Sequence, residues 1–259
     1  MARQKSQPTS RKRQGAGGHP HRTGTLYIVG TPIGSPDDLT IRAGAILKKV
    51  SIIASETPRA TQALLAHHGI TATITSYGPG QFEEKIAVLL HHLSEGHDVA
   101  LVSDSGMPVI YDPGRLLIET AHQSGFPVSV IPGPSALTAA VALSGYSGDR
   151  IVFVGRLPRT PRLLDVFFAT LKQETGTTVM FASPRALRPV LNSLSRVLPD
   201  RPVTLAVNMT RESEDVYQGC VRLLLKEVRS IPRDAEVTIV LAGMQEDDTG
   251  QRVRRSIKN

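Results

Sequence analysis

Three clusters of glycine, proline and small polar residues each follow directly on a run of aliphatic and β-branched residues. They are Gly30-Thr31-Pro32-Ile33-Gly34, Ser103-Asp104-Ser105-Gly106-Met107-Pro108 with Asp112-Pro113-Gly114 behind it, and Pro132-Gly133-Pro134-Ser135. Glycine lets a ligand approach the backbone closely, and proline stiffens a loop so that its free N–H and C=O groups keep one direction. Loops at the carboxyl ends of strands are where open α/β sheets bind ligands. Any one cluster also serves as a plain turn, but three of them after three strands describe a shared site. Two carboxylates border it, Asp104 inside the second cluster and Glu56 directly after Ile52-Ile53-Ala54-Ser55. A carboxylate within hydrogen-bond reach of a hydroxyl can take its proton, and Glu56 is the first candidate for that role and Asp104 the second.

The elements that must position these groups alternate strand and helix from residue 25 onward, the rhythm of an α/β protein. Strands are predicted at Leu26 to Val29, Ile52 to Ala54, Thr73 to Ser76, Val99 to Val102 and Val128 to Ile131. Between them, apolar residues recur at helical spacing: Leu39, Ala43, Ile46, Leu47 and Val50, then Phe82, Ile86, Leu89, Leu90 and Leu93. Thr57-Pro58 reads as an N-cap and first helical position, while Gly69, Gly96 and Gly125 read as helix ends. Pro132-Gly133-Pro134 cannot continue a ladder, so the domain change is expected there, giving units 25–131 and 132–243. The second half is predicted to hold helices at Ser135 to Leu143, Leu163 to Leu171, Ala186 to Val197 and Val221 to Val228. Its predicted strands are Ile151 to Val154, Thr178 to Phe181, Val203 to Val207 and Val237 to Leu241.

With 259 residues, 40% of them hydrophobic, the chain can bury one large core or two moderate ones. No run of about 18 apolar residues exists and none follows Met1, which argues against a membrane span and a secretory signal. Cys220 is the only cysteine, so no internal disulfide forms, and a cytoplasmic location is expected. Six of the seven net positive charges lie in residues 1–22, which hold no acid; residues 1–24 read as a disordered basic arm and 244–259 as a tail. The arm could attract RNA phosphates or could simply solubilise the chain. Phosphate-loop, dinucleotide-binding, zinc-protease and nucleophile-elbow motifs are missing, and the histidines lack ligand spacing, so no metal site is expected. Arg59, Arg156 and Arg159 are candidate phosphate contacts because a guanidinium pairs bidentately with phosphate oxygens. Asp38 and Arg42 stand four apart at a helix start, either as an ion pair or as substrate contacts.

Gly-Thr-Pro-Ile-Gly at 30–34 followed by Asp38, Thr40, Arg42 and Ala43, then Glu56 and Arg59, Ser103-Asp104-x-Gly106-x-Pro108, Asp112-Pro113-Gly114, Pro132-Gly133-Pro134-Ser135-Ala136 and Leu157-Pro158-Arg159 resemble the bacterial 16S rRNA cytidine-2′-O-methyltransferase family. The match runs in order from about Gly24 to Gly243. The resemblance implies an α/β, two-domain tetrapyrrole methylase-like fold, that of class III S-adenosylmethionine-dependent methyltransferases. It also implies a homodimer, 16S rRNA or the small ribosomal subunit as partner, and S-adenosylmethionine in the cleft between the domains. Thr31, Pro32, Gly34, Asp104, Ser105, Gly106, Met107, Ser135 and Phe181 would then bind the cofactor, and Asp38, Arg42, Arg59, Arg156 and Arg159 the substrate. On this reading Gly106→Val fills ligand space and removes cofactor binding with little change in melting temperature.

The chain departs from the family's spelling where Thr57 replaces an acid, at Gly78-Pro79-Gly80-Gln81, at Phe181-Ala182-Ser183-Pro184-Arg185 and at Asn208. A less polar cleft would suit methylation of a small molecule of the tetrapyrrole type. The missing acids, with a basic arm that contacts RNA, would equally suit a cofactor-binding or ribosome-binding module without catalysis.

Overall fold

The structure, a computed structural model, describes residues 22–78, 82–227, 231–232 and 234–244. The expectations for the arm and the tail, and those for Pro79 to Gln81, therefore fall outside the described residues, except at Arg22 to Gly24 and Met244.

Five parallel strands form the first sheet: β1 (Leu26–Val29), β2 (Ile52–Ser55), β3 (Ile74–Ser76), β4 (Val99–Val102) and β5 (Val128–Ile131), in the order β3-β2-β4-β1-β5. Strands β2 and β4 are buried at every position, as their unbroken apolar runs require of strands covered on both faces. Their covers are α1 (Ile41–Lys49), α2 (Pro58–His67), α3 (Phe82–Ser94) and α4 (Arg115–Gln123). Thr40 caps α1, its hydroxyl accepting from Ala43 N at 3.1 Å, and Lys48 and Lys49 in the last turn complement the helix dipole. Thr57 stands at the predicted cap of α2 with Pro58 behind it, but its hydroxyl makes no capping bond and turns toward the site instead.

The second sheet runs β6 (Ile151–Val154), β7 (Thr177–Ala182), β10 (Val237–Leu241), β8 (Pro202–Val207), β9 (Asp215–Cys220). β6 and β7 are parallel, while β10 runs antiparallel to both β7 and β8. The edge strand β9 is absent from the sequence prediction. Its residues are mostly exposed or half-buried, so Asp-Val-Tyr-Gln-Gly-Cys lacks an apolar alternation, and only pairing with β8 defines it. α6 (Pro161–Thr170), α7 (Pro184–Val197) and α8 (Val221–Glu227) lie on one face. α7 runs through Pro189, as predicted, and begins two residues earlier than its apolar spacing suggests. On the other face lies α5 (Ala136–Ser144), rich in small residues, which packs on β7, β8 and β10. Ile33, from the loop after β1, is buried in that layer with Ala140, Val141, Met209 and Val240, so the first glycine cluster is anchored in the second half.

Candidate active site

Because all five strands of the first sheet are parallel, the loops after β1, β2, β4 and β5 leave from one edge. In the second sheet the register sets the end of β7 (Ala182) and the end of β8 (Val207) opposite the start of β10 (Val237). These edges enclose a cavity of about 500 Å³ to which Glu56, Asp104, Ser105, Gly106, Met107, Asp112 and Ser135 contribute from the first half. Phe181, Ser183, Asp234, Glu236 and Thr238 contribute from the second. The two catalytic candidates and most of the cofactor candidates are thus brought to one place.

Three of those candidates build the wall from behind. Thr31 is buried; its N–H donates to Gly106 O at 2.9 Å and its hydroxyl lies 3.1 Å from Ser103 O and 3.2 Å from Gly106 O, which fastens the second cluster to the first. Pro32 is buried beside it. Gly34 packs against Met209 O in the loop after β8, leaving no room for a side chain, and Ser35 N donates to Thr210 Oγ1 at 2.9 Å. Gly30 and Gly133 touch backbone to backbone, where a Cβ on Gly30 would come within 2.7 Å of Gly133 Cα. The glycine clusters hold one another closed at this edge.

The loop after β4 is strained. Gly106 (φ 80°), Val109 (φ 75°), Tyr111 (φ 62°) and Gly114 (φ 136°) all have positive φ, and for a β-branched residue such as Val109 that costs about 1–3 kcal/mol. Asp104 is held by α2: Thr57 N donates to its Oδ1 at 3.1 Å and Thr57 Oγ1 to its Oδ2 at 2.6 Å.

Asp112 stands out in the sequence only as part of a turn motif, yet it is the most perturbed carboxyl of the site. Its Oδ2 is buried with no hydrogen-bond donor among the described residues. Burial, then a hydrogen bond with the Glu56 carboxyl, then the charges of Glu56 and Asp104 push its pKa from the ordinary aspartate range up to about 8, against a smaller opposing pull from the Val109 backbone. A folded-state pKa above the unfolded one contributes stability that is complete below about pH 4 and is lost as pH rises through about 8. Asp112→Asn, which cannot ionise, should flatten the fall in melting temperature between pH 5 and 9; an unchanged slope would mean that Asp112 holds no proton at neutral pH.

The substrate candidates divide. Arg156 and Arg159, after β6, line a second cavity of about 410 Å³ together with Arg185 at the start of α7; Tyr111, Phe181, Ala182 and Ser183 belong to both cavities. Arg185 escapes a reading of the sequence, although Ser-Pro-Arg after a strand marks the first turn of a helix at the sheet edge. Asp38, Arg42 and Arg59 line neither cavity. The Asp38–Arg42 ion pair does not form; Arg42 is exposed, Asp38 Oδ2 is buried without a partner among the described residues, and the neighbouring Asp37 pairs with His67 at 2.8 Å.

Residues 25–224 match the family of Tetrapyrrole (Corrin/Porphyrin) Methylases. The chain is similar to ribosomal RNA small subunit methyltransferase I of Thermotoga maritima, with 40% identity over 86% of this chain and all of that one. The protein of the same name from Micromonospora olivasterospora is 37% identical over 86% of this chain and 72% of its own. Among solved structures, a cobalt precorrin-4 methyltransferase superposes with a TM-score of 0.64 at 20% identity, covering 84% of this chain and 94% of that one. Uroporphyrin-III C-methyltransferase from Thermus thermophilus, complexed with S-adenyl homocysteine, gives 0.60 at 19% identity over 85% and 97%. The solved structures establish a shared fold; the sequence relatives, matched over most of both chains, establish that this chain belongs to the ribosomal RNA small subunit methyltransferase I family.

Proposed function

We propose that the protein transfers a methyl group from S-adenosylmethionine to a ribose 2′-hydroxyl of a cytidine in 16S rRNA, free or in the small ribosomal subunit. The observation that carries this reading is the cavity lined by Glu56, Asp104 and Asp112 at the meeting of the two sheets. S-adenosylmethionine supplies the electrophilic methyl and the leaving group. The residues fit such a cationic guest: the described lining holds five carboxyls and no lysine or arginine, with Met107, Tyr111 and Phe181 offering apolar surface to a base. Ser105, Gly106 and Ser135 present backbone and hydroxyl groups to it, while Thr31, Pro32 and Gly34 set the wall behind.

The chain's own chemistry is to accept the hydroxyl proton and to exclude water. Glu56 and Asp112 together form the base. Asp104, whose two oxygens both accept from Thr57, is held in place beside that pair. Thr57 and Asn208, where acids are missing, therefore have positive duties: Asn208 Oδ1 accepts from Glu236 N at 2.9 Å and ties the end of β8 to the start of β10. Two of the missing acids thus have structural replacements, which weakens the case for a module without catalysis. The tetrapyrrole alternative supposed a less polar cleft, whereas five carboxyls line this cavity, and the sequence relatives are named as ribosomal RNA methyltransferases.

We also infer a division into units 25–131 and 132–243, a cytoplasmic location and a homodimer. The exposed Leu163 and Val166 on α6 supply apolar surface for pairing; no helix among the described residues is long and apolar enough to cross a membrane.

The reaction is tested with methyl-labelled cofactor and either stripped 16S rRNA or small subunits. A 2′-O-methyl blocks alkaline cleavage of the next phosphodiester, so label is expected in an alkali-resistant dinucleotide. Label in a mononucleotide would place the methyl on a base, and label in a tetrapyrrole but not in RNA would overturn the substrate.

A further inference from the structure

The two adjoining cavities divide charge between them. Around the first stand Glu56, Asp104, Asp112, Asp234 and Glu236, with no lysine or arginine among the described lining residues. Around the second stand Arg156, Arg159 and Arg185, with no acid among the described lining residues. Arg150, Arg196, Arg211 and Arg222 each pair with a carboxylate, but among the described residues no carboxylate lies within 4.0 Å of these three guanidiniums. Topology brings them together: β6 and β7 are parallel neighbours, so the loops that follow them, 155–160 and 183–185, leave the sheet side by side. Three cations converging on one concavity without a counter-charge raise a local positive potential that an anion relieves.

We propose that the arginine-lined cavity is a phosphodiester site that holds the RNA backbone beside the acceptor ribose, with Arg185 as a contact alongside Arg156 and Arg159. The inference rests on the methyltransferase reading and gives it a register. Phosphates are repelled by the acid-lined cavity and paired bidentately by the arginines, so only the uncharged sugar and base of one nucleotide can pass into the acid half. The seam is Tyr111, which lines both cavities, is 55% exposed and stands edge-on to Phe181 with centroids 6.1 Å apart. Its free face offers a stacking surface to an unpaired base, the usual way single-stranded RNA is gripped. A polycarboxylate small molecule would satisfy the same charges, but it has no need of two halves of opposite sign joined by an aromatic face.

The test uses the full-length protein and a short single-stranded oligoribonucleotide, with affinity measured by fluorescence anisotropy across a salt series. Arg185→Ala and Arg156→Ala should each weaken binding on the order of tenfold and lower the salt slope by about 0.7, the share of one phosphate contact. Arg185→Lys should restore the slope but not the full affinity, because an ammonium lacks the fork. S-adenosylhomocysteine binding, measured by calorimetry on the same preparations, should not change. Salt slopes equal to wild type with cofactor affinity intact would overturn the phosphodiester site and leave the methyltransferase reading standing. Loss of cofactor binding from the unmodified protein would instead strike at the reading itself. A tetrapyrrole polycarboxylate that binds more tightly than the oligonucleotide, and is lost in the same variants, would reassign the cavity to small-molecule acids.

Discussion

Asp112→Asn is expected to lower single-turnover methyl transfer to RNA by about 10²–10⁴, the range for removing a general base, while S-adenosylhomocysteine still binds. A lone exposed carboxylate is a weak base for a ribose hydroxyl because its conjugate acid is too strong. Beside Glu56 and Asp104, and with Oδ2 cut off from donors, Asp112 keeps its proton up to about pH 8, so its carboxylate takes a proton much more readily. Ionised Asp112 is the active form, and kcat/KM should therefore rise with pH, close to tenfold per unit below the transition, and level off above about 8. A bound cation stabilises the ionised form of Asp112, so the corresponding rise in kcat should lie at lower pH than the rise in kcat/KM. Glu56→Gln should move the rise to lower pH without removing it, since one of the charges that raise the Asp112 pKa is lost while burial, the largest cause, remains. A pH profile of Asp112→Asn that keeps the wild-type midpoint would assign the base elsewhere.

Much of the frame behind this pair is legible in the sequence, and the reasons are local. β2 and β4 announce themselves as apolar runs, and Gly69, Gly96 and Gly125 mark helix ends because each takes a left-handed φ that other residues resist. The three glycine clusters meet because a parallel sheet sends its loops to one edge. What escapes is whatever depends on contact between distant segments. Asp112 reads as a turn residue until Glu56, 56 positions earlier, is set beside it. Arg185 is one exposed arginine among many until β6 and β7 pair. Asp38 and Arg42 show the opposite error: spacing suitable for an ion pair guarantees nothing when one partner turns to solvent. Thr57 looks like a cap by position, but instead of accepting from the N–H groups of the helix it precedes, its hydroxyl donates to the charged Asp104 carboxylate, the stronger bond.

Gly106→Val is expected to remove cofactor binding beyond the reach of calorimetry and, contrary to the expectation from sequence, to lower the melting temperature on the order of 5 °C. Sequence alone suggests a new side chain that fills ligand space in an otherwise sound loop. In the structure a Cβ at this position meets Ile33 Cγ2 at 3.3 Å and Pro134 O at 3.5 Å, so it points into the contact between glycine clusters as well as crowding the wall. The φ of 80° adds strain of about 1–3 kcal/mol for a β-branched residue, and in a domain of this size each kcal/mol shifts the midpoint by about 2–4 °C. Relief comes only if the loop rotates away from positive φ, which would break the bonds by which Thr31 holds Gly106 O and would carry Asp104 and Met107 out of the cavity. Gly106→Asn separates the two causes. Asparagine tolerates the left-handed region yet places a Cβ in the same spot, so if backbone strain is the main cause, the melting temperature stays near wild type with binding largely kept. Equal damage from Asn and Val would put the contact with Ile33 first, and the anchoring of Ile33 among Ala140, Val141 and Met209 would then set the shape of the cofactor wall.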